Sequence, residues 1–146
     1  MLLGTSEMGK TEFTSKSPSE TWAIGEQIGE KAQRGELYAI HGELGAGKTQ
    51  LVKGIAKGMG VEDWLYVVSP SFTIMNIYEG KGANLCHVDL YRIEESECEP
   101  LSIDEFLEEG VVAVEWAERA RWWNGIIQVN IEIVGEEERK ITIMRT

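Results

Sequence analysis

Hydrophobic and polar residues alternate along the chain with two different periods, and the changes of period predict helices and strands in succession. Apolar positions recur at helical spacing over residues 17–33 and 49–57, so each segment predicts a helix with one buried face. A serine, a proline and a glutamate at positions 17, 18 and 20 form a favourable helix start. The apolar run at residues 37–40 predicts a short buried strand, and the longer run at residues 110–116 is typical of a parallel strand buried on both faces.

Two pairs of strand-like segments predict antiparallel hairpins. The first pair covers residues 72–78 and 83–89 around a Gly-Lys-Gly turn, and we expect it as an addition to a parallel core. The second pair covers residues 127–134 and 140–144 and alternates apolar and polar residues on both sides of its turn.

The remaining patterns are weaker. Short strands are predicted at residues 11–14 and 65–68. Residues 94–109 contain eight acidic residues among sixteen, with apolar residues between them, and predict an acidic helical region with one buried face. Residues 1–10 are polar and without a pattern, so we expect a flexible terminus there.

The strongest chemical signal lies at residues 42–49, where Gly-Glu-Leu-Gly-Ala-Gly-Lys-Thr fits the phosphate-binding pattern G-x-x-x-x-G-K-[ST] at every defined position. A predicted strand precedes this loop and a predicted helix follows it, as the motif requires. The glycines allow backbone N–H groups to point at phosphate oxygens, and the helix dipole adds positive charge at the same place. We expect Lys48 to reach the β- and γ-phosphates and Thr49 to offer its hydroxyl to Mg²⁺.

The chain length and the order of these elements predict a single α/β domain over residues 11–146. The expected architecture is a P-loop NTPase-like, three-layer domain. It has a mixed, mainly parallel central sheet with added antiparallel hairpins.

Two carboxylates stand where strands are predicted to end, which is the edge of an α/β sheet where ligands bind. Glu115 ends the buried strand in a place where P-loop enzymes usually have an aspartate, and we expect it to hold a magnesium ligand or water opposite Thr49. Asp89 ends the first hairpin, where it could orient the attacking water, complete the magnesium shell or pair with Arg92.

Composition narrows the set of partners. Fourteen basic and twenty-five acidic residues give a formal charge of −11, which disfavours direct binding of a polyanion such as tRNA.

Cys86 and Cys98 lack metal-ligand spacing, so we expect reduced thiols in a cytosolic protein. The sequence has no signal-peptide pattern and no stretch of eighteen apolar residues, so neither secretion nor a membrane span is expected. We expect His41 and His87 to be structural residues.

Four motifs occur in a fixed order along the chain. The phosphate loop is followed by Ser-Pro-Ser-Phe-Thr at residues 69–73, His-Val-Asp-Leu-Tyr-Arg at residues 87–92 and Val-Glu-Trp-Ala-Glu at residues 114–118. With these motifs the chain resembles the TsaE family, formerly called YjeE, over residues 17–143. That family is the small ATPase of bacterial tRNA threonylcarbamoyladenosine synthesis.

The resemblance implies ATP and Mg²⁺ as ligands, with Lys48, Asp89 and Glu115 as catalytic residues. It implies metal contacts from Thr49, Glu115 and Asp89, and a switch-like loop at residues 69–73. Nucleotide contacts are then expected from the N-terminal helix entry, the phosphate loop, a tryptophan beside the nucleotide and an arginine in the last hairpin: Lys16, Pro18, Glu43, Leu44, Gly45, Ala46, Gly47, Lys48, Thr49, Glu115, Trp116 and Arg139.

The resemblance also implies partner proteins, TsaB and TsaD, with tRNA reached only indirectly through their complex. We expect slow ATP hydrolysis by the chain alone and faster hydrolysis with the partners. Two other functions fit the same loop. A small-molecule or nucleotide kinase would need an acceptor pocket and a mobile arginine-rich lid, for which Arg119 and Arg121 are the nearest candidates. A nucleotide-gated binding module would use ATP only to set its shape.

Overall fold

The computed structural model describes residues 4–7, 9–43, 45–70, 75–91, 103–117 and 126–145. Strands and helices alternate through most of this part of the chain. The strands are β1 (Thr5–Glu7), β2 (Lys10–Ser15), β3 (Leu37–Gly42), β4 (Met75–Tyr78), β5 (Asn84–Asp89), β6 (Gly110–Glu115), β7 (Ile127–Ile133) and β8 (Arg139–Met144). The helices are α1 (Pro18–Lys31), α2 (Lys48–Gly58) and α3 (Ile103–Glu109).

The described strands form one mixed sheet in the order β1-β2-β8-β7-β3-β6-β5-β4. The four strands at its centre, β7, β3, β6 and β5, run parallel to one another. Antiparallel pairs flank this core on both sides. The expected mixed α/β sheet with a parallel centre is therefore confirmed.

Alternation along β3 sends side chains into two separate cores. Tyr38 and Ile40 pack on the face that carries α1 and α2, whereas Leu37 and Ala39 pack on the face that carries Ile103 of α3. The sheet thus lies between two helical layers, which confirms the three-layer architecture. Within the described residues, no helix is long and apolar enough to cross a membrane.

Helices α1 and α2 approach each other closely through glycines on both. A Cβ added at Gly54 would lie 2.3 Å from the backbone oxygen of Trp22, and one at Gly58 would lie 2.2 Å from that of Glu26. On the α1 side, a Cβ added at Gly25 or Gly29 would likewise overlap the backbone of α2. This contact fixes the N-terminal end of α1 beside the loop that precedes α2.

Three sequence-based expectations differ from the structure. Residues 64–66 form a short 3-10 turn rather than the start of a strand, because Tyr66 N–H and Val67 N–H donate to carbonyls three residues earlier. Within this apolar run Val67 is buried and Leu65 is exposed. The run is not among the strands of the described sheet.

The first predicted hairpin exists as an antiparallel β4–β5 pair, but it is not an addition to the core. Strand β5 also pairs in parallel with β6 from Asn84 to Asp89, so it is one of the four central strands. Finally, strand β1 lies within residues 1–10, where the sequence shows no strand pattern. The flexibility of that terminus stays a prediction. Residues 71–74 and 94–102 of the predicted elements lie outside the described part.

We predict that Gly54→Ala destabilises the fold by about 1–3 kcal/mol, because the new methyl group overlaps the Trp22 carbonyl. In a helix without this contact the same change would stabilise by roughly 0.5–1 kcal/mol, so the sign of the effect is diagnostic. Urea unfolding measures it. Gly82→Ala is the matched control, since an added Cβ there meets nothing within 4 Å. A higher unfolding midpoint for Gly54→Ala would contradict the close approach.

Candidate functional site

The phosphate loop connects the end of β3 to the start of α2. Gly45 and Gly47 have φ angles of 84° and 102°, in the left-handed region that favours glycine. A Cβ built at either glycine would meet nothing within 4 Å, so the space on that side of the loop is open. Ala46 N–H donates to Glu43 O at 2.9 Å and holds the turn together. The loop therefore has the curled backbone that the sequence motif predicts. Leu44 lies outside the described residues.

Lys48 is the first residue of α2 and is only 5% exposed. Its Nζ donates to Gly42 O at 2.6 Å and to Glu43 O at 3.2 Å. The same ammonium lies 3.9 Å from the ring centroid of Trp116. All three of these contacts are to neutral groups.

Glu115 ends β6 next to Asp89 at the end of β5, because the two residues pair in the parallel register. Its carboxylate is buried and accepts hydrogen bonds from two different elements. Thr49 Oγ1 on α2 donates to Oε2 at 2.9 Å, and His87 Nε2 on β5 lies 2.5 Å from the same oxygen. Strand register and helix position thus bring Thr49, Asp89 and Glu115 to one edge of the sheet.

Asp89 is also buried and has donors on both oxygens. The hydroxyl of Ser69 donates to Oδ2, and Tyr91 N–H donates to Oδ1 at 2.9 Å. Ser69, the first residue of the predicted switch-like loop, is therefore hydrogen-bonded to this carboxylate. Arg92, the predicted alternative partner of Asp89, lies outside the described residues, as do residues 71–73.

A cleft of about 470 Å³ opens on these groups. Trp116 forms one side of it, with its ring 4.9 Å from that of Tyr91. Trp116 has a φ of 58°, and in the described part of the chain it is the one residue other than glycine with a positive φ. Such strain in a bulky residue costs about 1–3 kcal/mol and tends to occur at functional sites. The cleft is lined by Gly45, Ala46, Gly47, Lys48, Thr49, Gln50, Ser69, Asp89, Tyr91, Glu115 and Trp116.

A second cleft, of about 290 Å³, also borders the phosphate loop. The entry of α1 contributes Pro18 to it, and the β7–β8 turn contributes Glu136 and Arg139. The two clefts share Gly45, Ala46, Gly47 and Gln50 and are therefore adjacent.

Arg139 connects the last hairpin to the phosphate loop. Its Nε donates to Ala46 O at 2.9 Å, and one terminal nitrogen donates to Gly45 O at 3.3 Å. The other terminal nitrogen donates to carbonyls of its own turn, including Gly135 O at 3.1 Å. The guanidinium therefore braces the loop backbone from outside, a role that the sequence did not predict.

Two predicted contact residues line neither cleft. Lys16 is exposed, and its backbone N–H donates to Glu20 at the start of α1. Glu43 is exposed and lines a separate groove on the β7–β8 side of the sheet. A nucleotide contact from these two side chains stays a prediction.

His87 belongs to the site although the sequence predicts only a structural role for it. It is fully buried and contacts Glu115 directly. The available signal was its position two residues before Asp89, which places both side chains on one face of β5. His41 instead contacts Gln128 on a neighbouring strand. Burial raises the pKa of the Cys86 thiol to about 12, which makes this thiol a poor nucleophile; its expected reduced state stays a prediction.

The oxygen donors of the site suit Mg²⁺ held jointly with a nucleotide. Among the described residues, no group of three or more His, Cys, Asp and Glu side chains could hold a metal by itself. Mg²⁺ in nucleotide sites is instead bound by one or two carboxylates, with phosphates, hydroxyls and water completing its shell. The Thr49 hydroxyl and the Glu115 and Asp89 carboxylates fit that requirement.

Comparisons with known proteins point to one family. The family model "Threonylcarbamoyl adenosine biosynthesis protein TsaE" matches residues 15–142. A relative from Aquifex aeolicus, named tRNA threonylcarbamoyladenosine biosynthesis protein TsaE, is 38% identical over 92% of this chain and 96% of its own length. A relative of the same name from Bacillus subtilis is 37% identical over 92% and 85%. The crystal structure of Bacillus subtilis YdiB matches with a TM-score of 0.73 and 31% identity, covering 97% of this chain and 88% of that one.

We predict that ATP changes the tryptophan fluorescence of the protein, and that most of the change is lost in Trp116→Phe. An anion that draws the Lys48 ammonium away from the Trp116 ring alters the field at that indole. Titration of both proteins with ATP and Mg²⁺ measures the effect. The parent contains five tryptophans, so Trp22→Phe is the matched control and should keep the response. An equal response in the parent and Trp116→Phe would assign the signal to another ring.

Proposed function

The chain belongs to the TsaE family of P-loop ATPases, and from this premise we propose that it hydrolyses ATP with Mg²⁺ in the biosynthesis of threonylcarbamoyladenosine on tRNA. The observation that carries the proposal is the hydrogen bond from the Thr49 hydroxyl to the Glu115 carboxylate at the C-terminal edge of the sheet. It supports a metal-dependent reaction because it joins the phosphate-loop hydroxyl to the carboxylate opposite it.

The phosphate loop and Lys48 would bind the triphosphate. Residues at the start of α2 line the cleft, where their backbone N–H groups and the helix dipole would favour negative charge. Lys48 would exchange its contacts with Gly42 O and Glu43 O for the β- and γ-phosphate oxygens. A charged partner replaces neutral ones in this exchange, which strengthens the electrostatic interaction.

Bound Mg²⁺ would neutralise charge on the phosphate oxygens and help to align the leaving group. Thr49 would offer an oxygen lone pair to that ion while its hydroxyl continues to donate a hydrogen bond to Glu115. Asp89 would orient the attacking water, because its carboxylate lines the same cleft beside Glu115. The Ser69 hydroxyl and the Tyr91 N–H hold Asp89 in place and leave its remaining lone pairs for the water.

We propose that TsaB and TsaD are the partner proteins and that tRNA is reached through their complex, in the cytoplasm. The formal charge of −11 supports a protein partner over direct tRNA binding, since tRNA affinity depends largely on lysine and arginine contacts to phosphate. Ser69 gives the partners a route to the reaction, because a protein that orders the chain around it would also position Asp89.

We predict that Glu115→Gln and Asp89→Asn keep the fold and lose roughly 10²-fold or more of the ATP hydrolysis rate, since both groups act on the metal or the water. A phosphate-release assay measures the rate, and a thermal melt checks the fold. Glu105→Gln, an exposed carboxylate on α3, is the matched control and should hydrolyse ATP like the parent. Unchanged release in both site variants would remove the carboxylates from the mechanism. Phosphate transfer that required an added acceptor would favour a kinase.

We further predict that the chain alone hydrolyses ATP slowly and binds tRNA poorly, and that TsaB with TsaD raises the hydrolysis rate several-fold. The physical reason is completion of the site around Ser69 and Asp89 by a partner surface. Phosphate release with and without the pair measures the first part, and filter binding of tRNA at physiological salt measures the second. Sub-micromolar tRNA binding by the isolated chain would indicate direct RNA recognition instead.

A further inference from the structure

We infer that His87 is a positioning residue for Glu115, and that its Nε2–H donor sets the orientation in which this carboxylate faces Thr49. The inference rests on the proposed ATPase function and deepens it. His87 does not line the cleft, and the hydrogen bond described for its side chain is to Glu115. It would therefore affect the reaction through Glu115.

The hydrogen bond between His87 and Glu115 is short and shielded from water. His87 Nε2 lies 2.5 Å from Glu115 Oε2, and the two side chains are 0% and 4% exposed. An ionised carboxylate can only accept hydrogen bonds, so Nε2 is the donor, and the proton on that nitrogen is assigned from this partner. A charge-assisted bond in such a dry environment restrains both groups strongly.

Glu115 needs this restraint because its side chain has one more rotatable bond than the aspartate that is usual at this position. Thr49 restrains the carboxylate from α2 through contacts of 2.9 Å and 3.2 Å to its two oxygens. His87 restrains it from β5 through its contact to Oε2. With donors on two different elements, the carboxylate would keep its orientation if the Thr49 hydroxyl also bound a metal ion.

The other nitrogen of His87 argues against a purely structural role. Among the described residues, Nδ1 of His87 is the one buried side-chain nitrogen or oxygen without a hydrogen-bond partner. An unpaired buried polar atom carries a desolvation cost that an apolar side chain of similar size would avoid. The imidazole thus offers one thing that a leucine would not, which is the hydrogen bond from Nε2 to Glu115.

Two substitutions separate the donor from the shape of the side chain. His87→Gln keeps an N–H donor near the position of Nε2, whereas His87→Leu fills the site without one. We expect His87→Leu to lose about 10- to 100-fold in kcat, as is typical for residues that orient metal ligands, with a smaller change in KM. His87→Gln should recover most of that loss. Cys86→Ala, on the opposite face of the same strand, should keep the parent rate.

A second measurement is independent of turnover. Calorimetry with a non-hydrolysable ATP analogue, in Mg²⁺ and in EDTA, gives the gain in affinity that the metal provides. We expect His87→Leu to lose about tenfold of that gain, with unchanged affinity in EDTA, and His87→Gln to retain it. Thermal melts of all variants show whether each one is folded.

Three outcomes would overturn the inference. The first is a parent-like kcat and metal-dependent gain in His87→Leu. The second is equal loss in His87→Leu and His87→Gln, which would assign the effect to packing. The third is a matching loss in Cys86→Ala. If the parent itself released no phosphate under any condition, the proposed function would fail, and the calorimetric comparison would still decide the role of His87.

Discussion

Three charged groups lie almost fully buried at one edge of the sheet, and the arrangement of the site follows from the need to satisfy them. Lys48, Asp89 and Glu115 are each at most 5% exposed. Burying a charge costs several kcal/mol unless hydrogen bonds compensate for it. The compensating partners come from the phosphate loop for Lys48, from the first residue of the predicted switch-like loop for Asp89, and from α2 and β5 for Glu115. The elements that the site requires are thereby joined to one another.

The parallel register of the central strands determines which groups can meet. Asp89 pairs with Glu115 because β5 and β6 end together, and β3 lies on the other side of β6 and leads directly into the phosphate loop. The glycine contacts between α1 and α2 then hold the helix entry at Pro18 against the loop side of the sheet. A slip of one residue in the β5–β6 register would turn Asp89 and His87 to the opposite face of the sheet.

Local pattern was sufficient to predict the parts of the fold that depend on neighbouring residues. The β3–loop–α2 unit and the buried β6 ending at Glu115 follow from short apolar runs and from glycines with defined roles. The central position of β5 was missed because strand order depends on long-range pairing. The same applies to the contact of His87 with Glu115, which joins residues on different strands. The 3-10 turn at residues 64–66 replaced a predicted strand because apolar composition alone does not supply a strand partner.

The charge distribution explains how so acidic a chain can accommodate a polyanion. The formal charge of −11 acts against ATP at long range, but salt screens that field over roughly 10 Å. Within the cleft, the Lys48 ammonium, the loop N–H groups and the α2 dipole attract the phosphates, while Asp89 and Glu115 repel them. In the proposed function Asp89 and Glu115 would help to hold a divalent cation, whose positive charge would offset this repulsion. In that case the two buried carboxylates would favour the metal-bound form of the nucleotide, and the proposed hydrolysis would depend on the same two groups.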